Sequence, residues 1–550
     1  MTRSGFAESL GKLENKWWFD PALIVASSLL TALTMIFDLL SPIAFVSLSP
    51  LILVLMRRTE KGKKGFSNYM TAFLWSFVFY MTIYHWFWYL WPMDFMGVSI
   101  PMALLLTLLC WIGLSLLQTV GTAFVGLIFC HAYKKERMWS APIIFACAYT
   151  FLEFMQSLTF AGVPWARLAL TQTSVPAAIQ SASLFGSLFV GFIIGLVNGL
   201  VALAIRGFVK NGSRFACFVR PAALALAIVM LNLGVGMTYM ALHDEKSRGG
   251  FKITVVQGNI SSNDKWADNS NANAINVYER LTLEADAKEH ADIVLWPETV
   301  LTVAIKESPH YETKIKELAK STGSVIFVGA FDVSETDEEY KWEDYNAIVA
   351  YFPDGSVESG SYKKRHLVPF GEYMPMRSVL EVVMPFMTEL NMLGDDLTPG
   401  KDSEVVSTPF ARVGRLICFD SIYPELARDS VSDGAEIILL STNDSWYRDS
   451  ASAYQHNSHA VLRAVENRRY IARAASTGIS AFIDSEGRVL SALPPLKMGY
   501  LTASVFPHSE RTLYSYVGDV IVLPCVAALV FFVCEKYVKS GKNKNKKPKN

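Results

Sequence analysis

Charge is scarce in this sequence. Asp, Glu, Lys and Arg supply 18% of its 550 residues against 51% hydrophobic types, a balance that excludes a wholly soluble chain. Ionised side chains are costly in hydrocarbon, so they must gather in whatever part lies outside a bilayer. Net charge is missing too: 50 basic and 50 acidic residues cancel, which removes the global field that draws proteins to nucleic acid and excludes a disordered polyelectrolyte. Nucleotide and serine-hydrolase signatures fail. The stretch 5–12 is one residue too long for a phosphate loop and ends without Ser or Thr, and Gly478-Ile479-Ser480-Ala481-Phe482 lacks the closing Gly of a nucleophile elbow. Cysteine is scarce, with seven in all and only Cys418 between residues 243 and 516. A single thiol there cannot make an intradomain disulfide, so Cys418 is either a small buried hydrophobe or a reactive group.

What is present is organised by hydropathy. Six apolar runs, 21–40, 69–91, 102–130, 181–205, 221–242 and 517–534, reach the ~20 residues of a helical span, and two weaker ones lie at 42–56 and 139–155. Counting both gives eight helices and three parts: a seven-helix region over 1–242, a polar domain over 243–516, and a last helix with a basic tail over 517–550. Lys and Arg fix the orientation. Arg57, Arg58, Lys61, Lys63 and Lys64, then Lys134, Lys135 and Arg137, then Arg206, Lys210, Arg214 and Arg220 occupy alternate loops, and the tail carries Lys536, Lys539 and Lys542. Those loops and the tail are expected in the cytoplasm, so the polar domain faces outward. Trp17, Trp18 and Phe19 precede the first run as an interfacial cluster, which reads as a retained helix, not a cleaved leader.

Within the polar domain, short β-branched or aromatic runs predict strands at 251–257, 292–296, 324–331, 346–352, 415–419 and 436–441. Helical spacing predicts helices at 272–290, 311–321, 424–432 and 452–475. The domain is therefore α/β, where active groups collect beyond the carboxyl ends of strands. Glu298, Cys418, Asn443 and Asp444 all stand there, and Lys364 lies in the polar run 361–366. Taken singly, Glu298 reads as a helix cap, Lys364 as a solvated turn residue, Asn443 and Asp444 as turn formers, and Trp266 and Trp446 as packing aromatics. His456 and His459 share a helical face, but no third ligand accompanies them, so they read as a solvated face and no metal site is expected.

Together, the blocks Trp296-Pro297-Glu298-Thr299, Tyr362-Lys363-Lys364-Arg365-His366-Leu367-Val368-Pro369-Phe370-Gly371-Glu372 and Ile417-Cys418-Phe419-Asp420 resemble the Glu, Lys and Cys blocks of the nitrilase superfamily. More narrowly, Val256-Gln257-Gly258-Asn259-Ile260 with Trp266, Tyr345-Asn346-Ala347, Ser441-Thr442-Asn443-Asp444-Ser445-Trp446 and Gly162-Val163-Pro164-Trp165 resemble the bacterial apolipoprotein N-acyltransferases. The resemblance implies an αββα sandwich bolted to an eight-helix membrane bundle. It implies a Cys418 nucleophile, Glu298 as general base and Lys364 facing the oxyanion, with Glu372, Trp266, Phe419, Asp420 and Asn443 in support. The eight-residue gap to Glu372 favours Lys364 over Lys363.

The implied reaction takes an acyl chain from a glycerophospholipid donor, by a thioester, to a diacylglyceryl apolipoprotein acceptor. The implied location is the bacterial inner membrane, with the catalytic domain in the periplasm and no cofactor or nucleotide. One departure stands out: Asp420 occupies a position where the family usually has Glu, so the carboxylate is kept and its reach shortened. An apolar stretch at 374–392, including Met374, Met376, Val379 and Val382, suits acyl chains or the bilayer interface as well as it suits a packed amphipathic helix.

From the residues alone, two other readings stay open. A tethered amidase would let water resolve the acyl-enzyme. A non-catalytic sensor or transporter is disfavoured by how few ionisable groups, chiefly Asp38, His85, Glu153 and Asp519, sit in the apolar runs.

Overall fold

All eight apolar runs fall on helix. The computed structural model describes residues 16–93, 97–158, 162–210, 215–242, 249–267, 269–335, 342–383 and 396–544. Among them, five helical segments are long and apolar enough to cross a membrane: Asp38–Glu60, Ile100–Ala132, Lys135–Met155, Ser187–Lys210 and Phe215–Leu242. The remaining runs are helical as well, at Phe19–Leu33, Gly65–Ile83 and Val522–Lys544, so the expected eight is matched only roughly by length and composition. The chain divides into two units, one of Met1–His85, Leu108–Leu242 and Val517–Asn550, the other of Trp86–Thr107 with His243–Tyr516.

In the helical unit, buried polar side chains repair the places where helix geometry fails. The run 42–56 breaks between Ala44–Ser47 and Ser49–Glu60. Asn198 receives the freed N–H groups of Leu48 and Ser49 at 2.8 and 3.0 Å and donates to the Ala44 carbonyl at 2.7 Å. Unmet backbone groups in hydrocarbon would cost several kcal/mol each, so this one amide keeps a broken helix tolerable. Glu153 likewise accepts from the Leu168 N–H at 2.7 Å, and Arg167 donates to Ser187 Oγ at 2.9 Å, holding in place a buried stretch of two short 3-10 helices, Pro164–Ala166 and Leu168–Gln172.

The second unit is a sandwich. Strands β1 (Phe251–Gln257), β2 (Ile293–Leu295), β3 (Leu301–Ala304), β4 (Val325–Glu335), β5 (Trp342–Tyr351) and β6 (Tyr362–Lys363) form one sheet, closed at its edge by β13 (Gly499–Val505). The other runs in the order β12 (Val489–Leu493), β11 (Ser480–Ile483), β10 (Ile471–Ala475), β9 (Ile437–Thr442), β8 (Arg412–Ile417) and β7 (Val406–Ser407). β1, β2 and β4 are parallel, as are β8, β9 and β10, which is the pattern that crossover helices impose.

Ile253, Leu295, Phe327, Val413, Ile417 and Leu439 pack between the sheets. Val256, Val294 and Val328 on the outer face of the first sheet meet Tyr278, Leu281, Ile315 and Leu318 of helices Ser270–Lys288 and Pro309–Thr322. Pro424–Ser432 and Ala451–Asn467 cover the second sheet. Alternation within each strand therefore feeds two cores, and the layer order is helix, sheet, sheet, helix.

One expected element is corrected. The stretch 452–475 is not a single helix: it stops at Asn467, Arg468 turns into the left-handed region at φ 50°, and residues 471–475 become β10, buried between β9 and β11. A short strand buried on both faces carries no alternation to separate it from a buried helix.

Candidate active site

Three strand ends of the second unit converge. After β2 the chain passes Trp296, whose N–H bonds the Phe327 carbonyl at 2.9 Å, and Pro297, then presents Glu298. Thr299 follows at φ 43° and leads into β3, so no helix begins there for Glu298 to cap. β6 pairs with β5 and delivers Lys364, whose N–H bonds the Asn346 carbonyl at 2.8 Å. β8 ends at Ile417, and Cys418 opens a 3-10 turn at φ 48°, a left-handed conformation that costs a non-glycine residue about 1–2 kcal/mol.

Lys364 is buried, with Nζ 2.9 Å from Glu298 Oε1 and 2.8 Å from Glu372 Oε2. Asn346 Nδ2 donates to Glu298 Oε1 and to Glu372 Oε1, at 2.7 Å each. Glu372 Oε2 also accepts from the Val368 N–H at 2.8 Å. Desolvation opposes the Lys364 charge, yet Glu298 and Glu372 overcome it and hold the ammonium well above the ordinary lysine range. Lys363 goes elsewhere: its Nζ lies 3.5 Å over the Tyr345 ring and donates to Ser334 Oγ. The eight-residue register is thus the one that builds the cluster.

Cys418 lies within electrostatic reach of the same groups. Burial pushes its thiol well above the ordinary range, Glu298 adds to the rise, and Lys364 pulls the other way. The resting group is a thiol, which needs a base at the moment of attack.

Asp420 answers the question its length raised. Its Oδ2 accepts from the Ile417 N–H at 3.0 Å and Tyr362 Oη at 2.9 Å, and its Oδ1 from the His366 and Arg365 N–H groups at 2.8 and 3.2 Å. Each oxygen of the shorter side chain is met by two donors. It ties the nucleophile turn to the strand that carries Lys364, and burial pushes its carboxyl up to about 6 against those donors.

Phe419 sits edge-on to Tyr423, ring centres 5.5 Å apart. Trp266 is 45% exposed, on the turn after the Ser262–Lys265 helix. Asn443 spends its Oδ1 on the Ser445 N–H at 3.2 Å, and its neighbour Asp444 is the one that turns inward. In the apolar stretch, Met376, Val379 and Val382 are exposed, while residues 384–392 lie outside the described ones.

Two groups were missed or misread from sequence. Lys265 is buried, and its Nζ donates to the Glu298 carbonyl at 3.3 Å and to Thr299 Oγ1. The only signal was its place beside Trp266. His456 and His459 are buried, at 3% and 0% exposure, not solvated. His456 also finds the partners that sequence did not offer: a ring nitrogen, an Asp444 oxygen and Cys418 Sγ lie within 4.8 Å of one another. That set has ligand chemistry, but Asp444 is bonded to Arg473 at 2.9 Å, and His456 Nδ1 faces Asp444 at 2.7 Å while Nε2 faces the Cys418 carbonyl at 3.0 Å. A cation would have to break each of those bonds and sit beside a guanidinium.

Chemically, the site offers a thiol, a carboxylate able to take its proton, and a fixed cation: the parts of covalent acyl transfer. Residues 252–513 match the carbon-nitrogen hydrolase family and residues 26–200 the apolipoprotein N-acyltransferase N-terminal domain. An apolipoprotein N-acyltransferase of Geobacter metallireducens is 30% identical over 92% of this chain and 93% of its own. One of Haemophilus influenzae is 28% identical over 90% of this chain and 89% of its own. With likeness running the length of both chains and both domains matched in order, this protein belongs to the apolipoprotein N-acyltransferase family.

Proposed function

We propose that the protein moves an acyl chain from a glycerophospholipid to the α-amine of the N-terminal diacylglyceryl-cysteine of an apolipoprotein, through a thioester on Cys418. The observation that carries this reading is a lysine buried between two carboxylates beside the domain's one thiol. The names of the relatives supply the acceptor class.

Glu298 takes the Cys418 proton as sulfur attacks the ester carbonyl, and Lys364 faces the negative charge that gathers on oxygen. The carbon-oxygen bond then breaks, and the lysophospholipid leaves with the proton from Glu298. In the second half the amine attacks the thioester, Glu298 accepts its proton, and the carbon-sulfur bond breaks. Cys418 recovers its proton from Glu298. The thioester lies above the ester, but the overall change from ester to amide ends in the most stable acyl linkage, so the scheme draws on no cofactor or nucleotide.

Both lipid substrates reach the site laterally if residues 1–242 and 517–550 hold it at the bacterial inner membrane with residues 243–516 in the periplasm. The alternating Lys and Arg loops support that orientation, and the exposed Met376, Val379 and Val382 support contact with acyl chains.

Purified protein incubated with phospholipid alone is expected to gain one acyl mass that hydroxylamine removes and that Cys418→Ala never acquires. A diacylglyceryl peptide should then collect the chain. Release of free fatty acid to water, with the peptide unmodified, would replace transfer by hydrolysis, and no adduct from any phospholipid would leave the tethered amidase, acting on small amides, or the binding module.

A further inference from the structure

Beneath the nucleophile lies a second buried polar cluster that this acyl-transfer scheme does not use. His456, on the helix Ala451–Asn467, sets Nδ1 2.7 Å from Asp444 Oδ1. Asp444 Oδ2 accepts from Arg473 Nη2 at 2.9 Å, and Arg473, fully buried on β10, also donates to the Ile479 carbonyl. Burial opposes the Asp444 charge, but Arg473 and His456 hold its carboxyl well below the usual range, so it stands ionised and can only accept. Nδ1 therefore donates to it, although Arg473 Nη2 also lies 3.2 Å away.

On the other side of the ring, Nε2 is 3.0 Å from the Cys418 carbonyl, which can only accept, and 3.0 Å from Ser421 Oγ. Ser421 sends its own hydrogen to that carbonyl at 2.8 Å. Nε2 thus meets an oxygen already bonded by one donor, and the ring donates there as well; with both nitrogens donating, the ring is an imidazolium paired to the Asp444 carboxylate.

We propose that His456 is a positioning residue for the transfer: braced by Asp444 and Arg473, it grips the carbonyl of Cys418 and so fixes the peptide unit that joins the nucleophile to Phe419. Two consequences follow from that one bond. Cys418 is held at φ 48°, where the backbone would otherwise relax and turn the thiol from Glu298 and Lys364. Drawing charge toward the carbonyl oxygen also polarises the rest of that amide, which makes the Phe419 N–H a stronger donor beside the carbon under attack. His456 touches neither substrate nor sulfur in this role, and it acts through the Cys418 backbone.

The inference rests on the acyl-transfer reading, and wild-type protein must first form the adduct on a phospholipid of known chain length. Failure there sinks the reading itself, not the role of His456. The test compares His456→Gln, whose amide nitrogen can take the place of Nε2, with His456→Asn, whose amide nitrogen can take the place of Nδ1, and with His456→Ala. In full-length protein, single-turnover acylation followed by intact mass should fall about 100-fold in the Ala and Asn variants and about tenfold or less in Gln, by analogy with removal of one oxyanion donor. Half-saturation by phospholipid should stay within about threefold, since ground-state binding is untouched. Iodoacetamide labelling of Cys418 should slow in the same order.

A loss in Gln as large as in Asn, or larger, would mean that a donor placed at the Nε2 position does not restore the rate, which overturns the proposal. So would a rate near wild type in Ala, or a loss confined to half-saturation. Should the Ala variant fail to fold, the Gln and Asn pair decides alone.

Discussion

Gly329 lies directly under Glu298: a β carbon there would stand 2.8 Å from Glu298 Cα and 2.1 Å from the Pro297 carbonyl oxygen. Its conformation needs no glycine; the crowding does, because the turn carrying the base crosses β4 at backbone contact and bonds it, with Val300 N–H on the Gly329 carbonyl at 2.7 Å. Gly329→Ala is expected to push the turn off β4 and carry the Glu298 carboxylate away from Lys364. A shift near 1 Å costs about 100-fold when geometry governs the rate. Acylation by phospholipid should drop by that order while the protein still melts cooperatively. A rate within threefold of wild type would mean that the turn has slack the packing does not suggest.

The ion cluster makes a prediction about pairs. Removing one member of a buried pair strands the other and costs about 3–5 kcal/mol, whereas removing both together is often close to neutral. Lys364→Met leaves Glu298 and Glu372 facing each other across Asn346, which donates to both. Thermal stability should fall sharply in that variant and recover in part when Glu372→Gln is added. Activity should stay absent in both, because the cation is gone. Additive losses in the double variant would argue that Lys364 and Glu372 are not coupled in the folded protein.

How much of this was legible beforehand depends on whether the signal was local. Glu298, Lys364 and Cys418 each sit in a compact block, and the strands before Glu298 and Cys418 carry clear β-branched runs, so the resemblance of those blocks brought out the cluster, although the two-residue β6 that delivers Lys364 gave no strand signal. His456 was different. The helix that bears it buries Gln455, His456, His459, Arg463, Glu466 and Asn467 along with its apolar residues, so polar spacing misreports which side meets water. Its partners Asp444 and Arg473 lie 12 and 17 positions away, and Arg473 was placed in a helix until the left-handed Arg468 ended it. Trp86–Thr107 grouping with the second unit was invisible for the same reason. Hydropathy assigns a residue to oil or water, while membership of a unit is decided by contacts such as Trp86 Nε1 with Gln455 Oε1, 369 positions apart.

Asp420 tests whether carboxylate or length matters. Four donors converge on its two oxygens in a site with no exposure. Asp420→Asn would turn an NH2 group toward two of those donors, leaving them unmet at about 1–3 kcal/mol each. Asp420→Glu keeps the charge but adds a methylene to a filled site, at about 1–3 kcal/mol. Both variants should melt lower than wild type, and the Glu variant should not gain activity although its residue type is the commoner one in resembling sequences. A faster or more stable Glu variant would show room around Asp420 that the packing denies.

Lys265 gives the acylation step a pH limb. Burial lowers its pKa, Glu298 and Cys418 raise it in part, and the balance leaves it at about 8. The sign follows from what the charged form does: below that pH the ammonium bonds the Glu298 carbonyl and Thr299 Oγ1, and above it one donor and the positive charge are lost. Single-turnover acylation by phospholipid contains no acceptor amine, and the Cys418 thiol titrates far above this range, so neither group masks the effect. The rate should therefore hold up to about pH 7 and decline through pH 8. Lys265→Arg keeps its charge throughout and should lose the decline, even if the bulkier head slows the step at every pH. Lys265→Met should be slow and flat. A wild-type decline that survives unchanged in the Arg variant would assign the limb to another group and leave Lys265 as a purely structural anchor for the turn that bears Trp266.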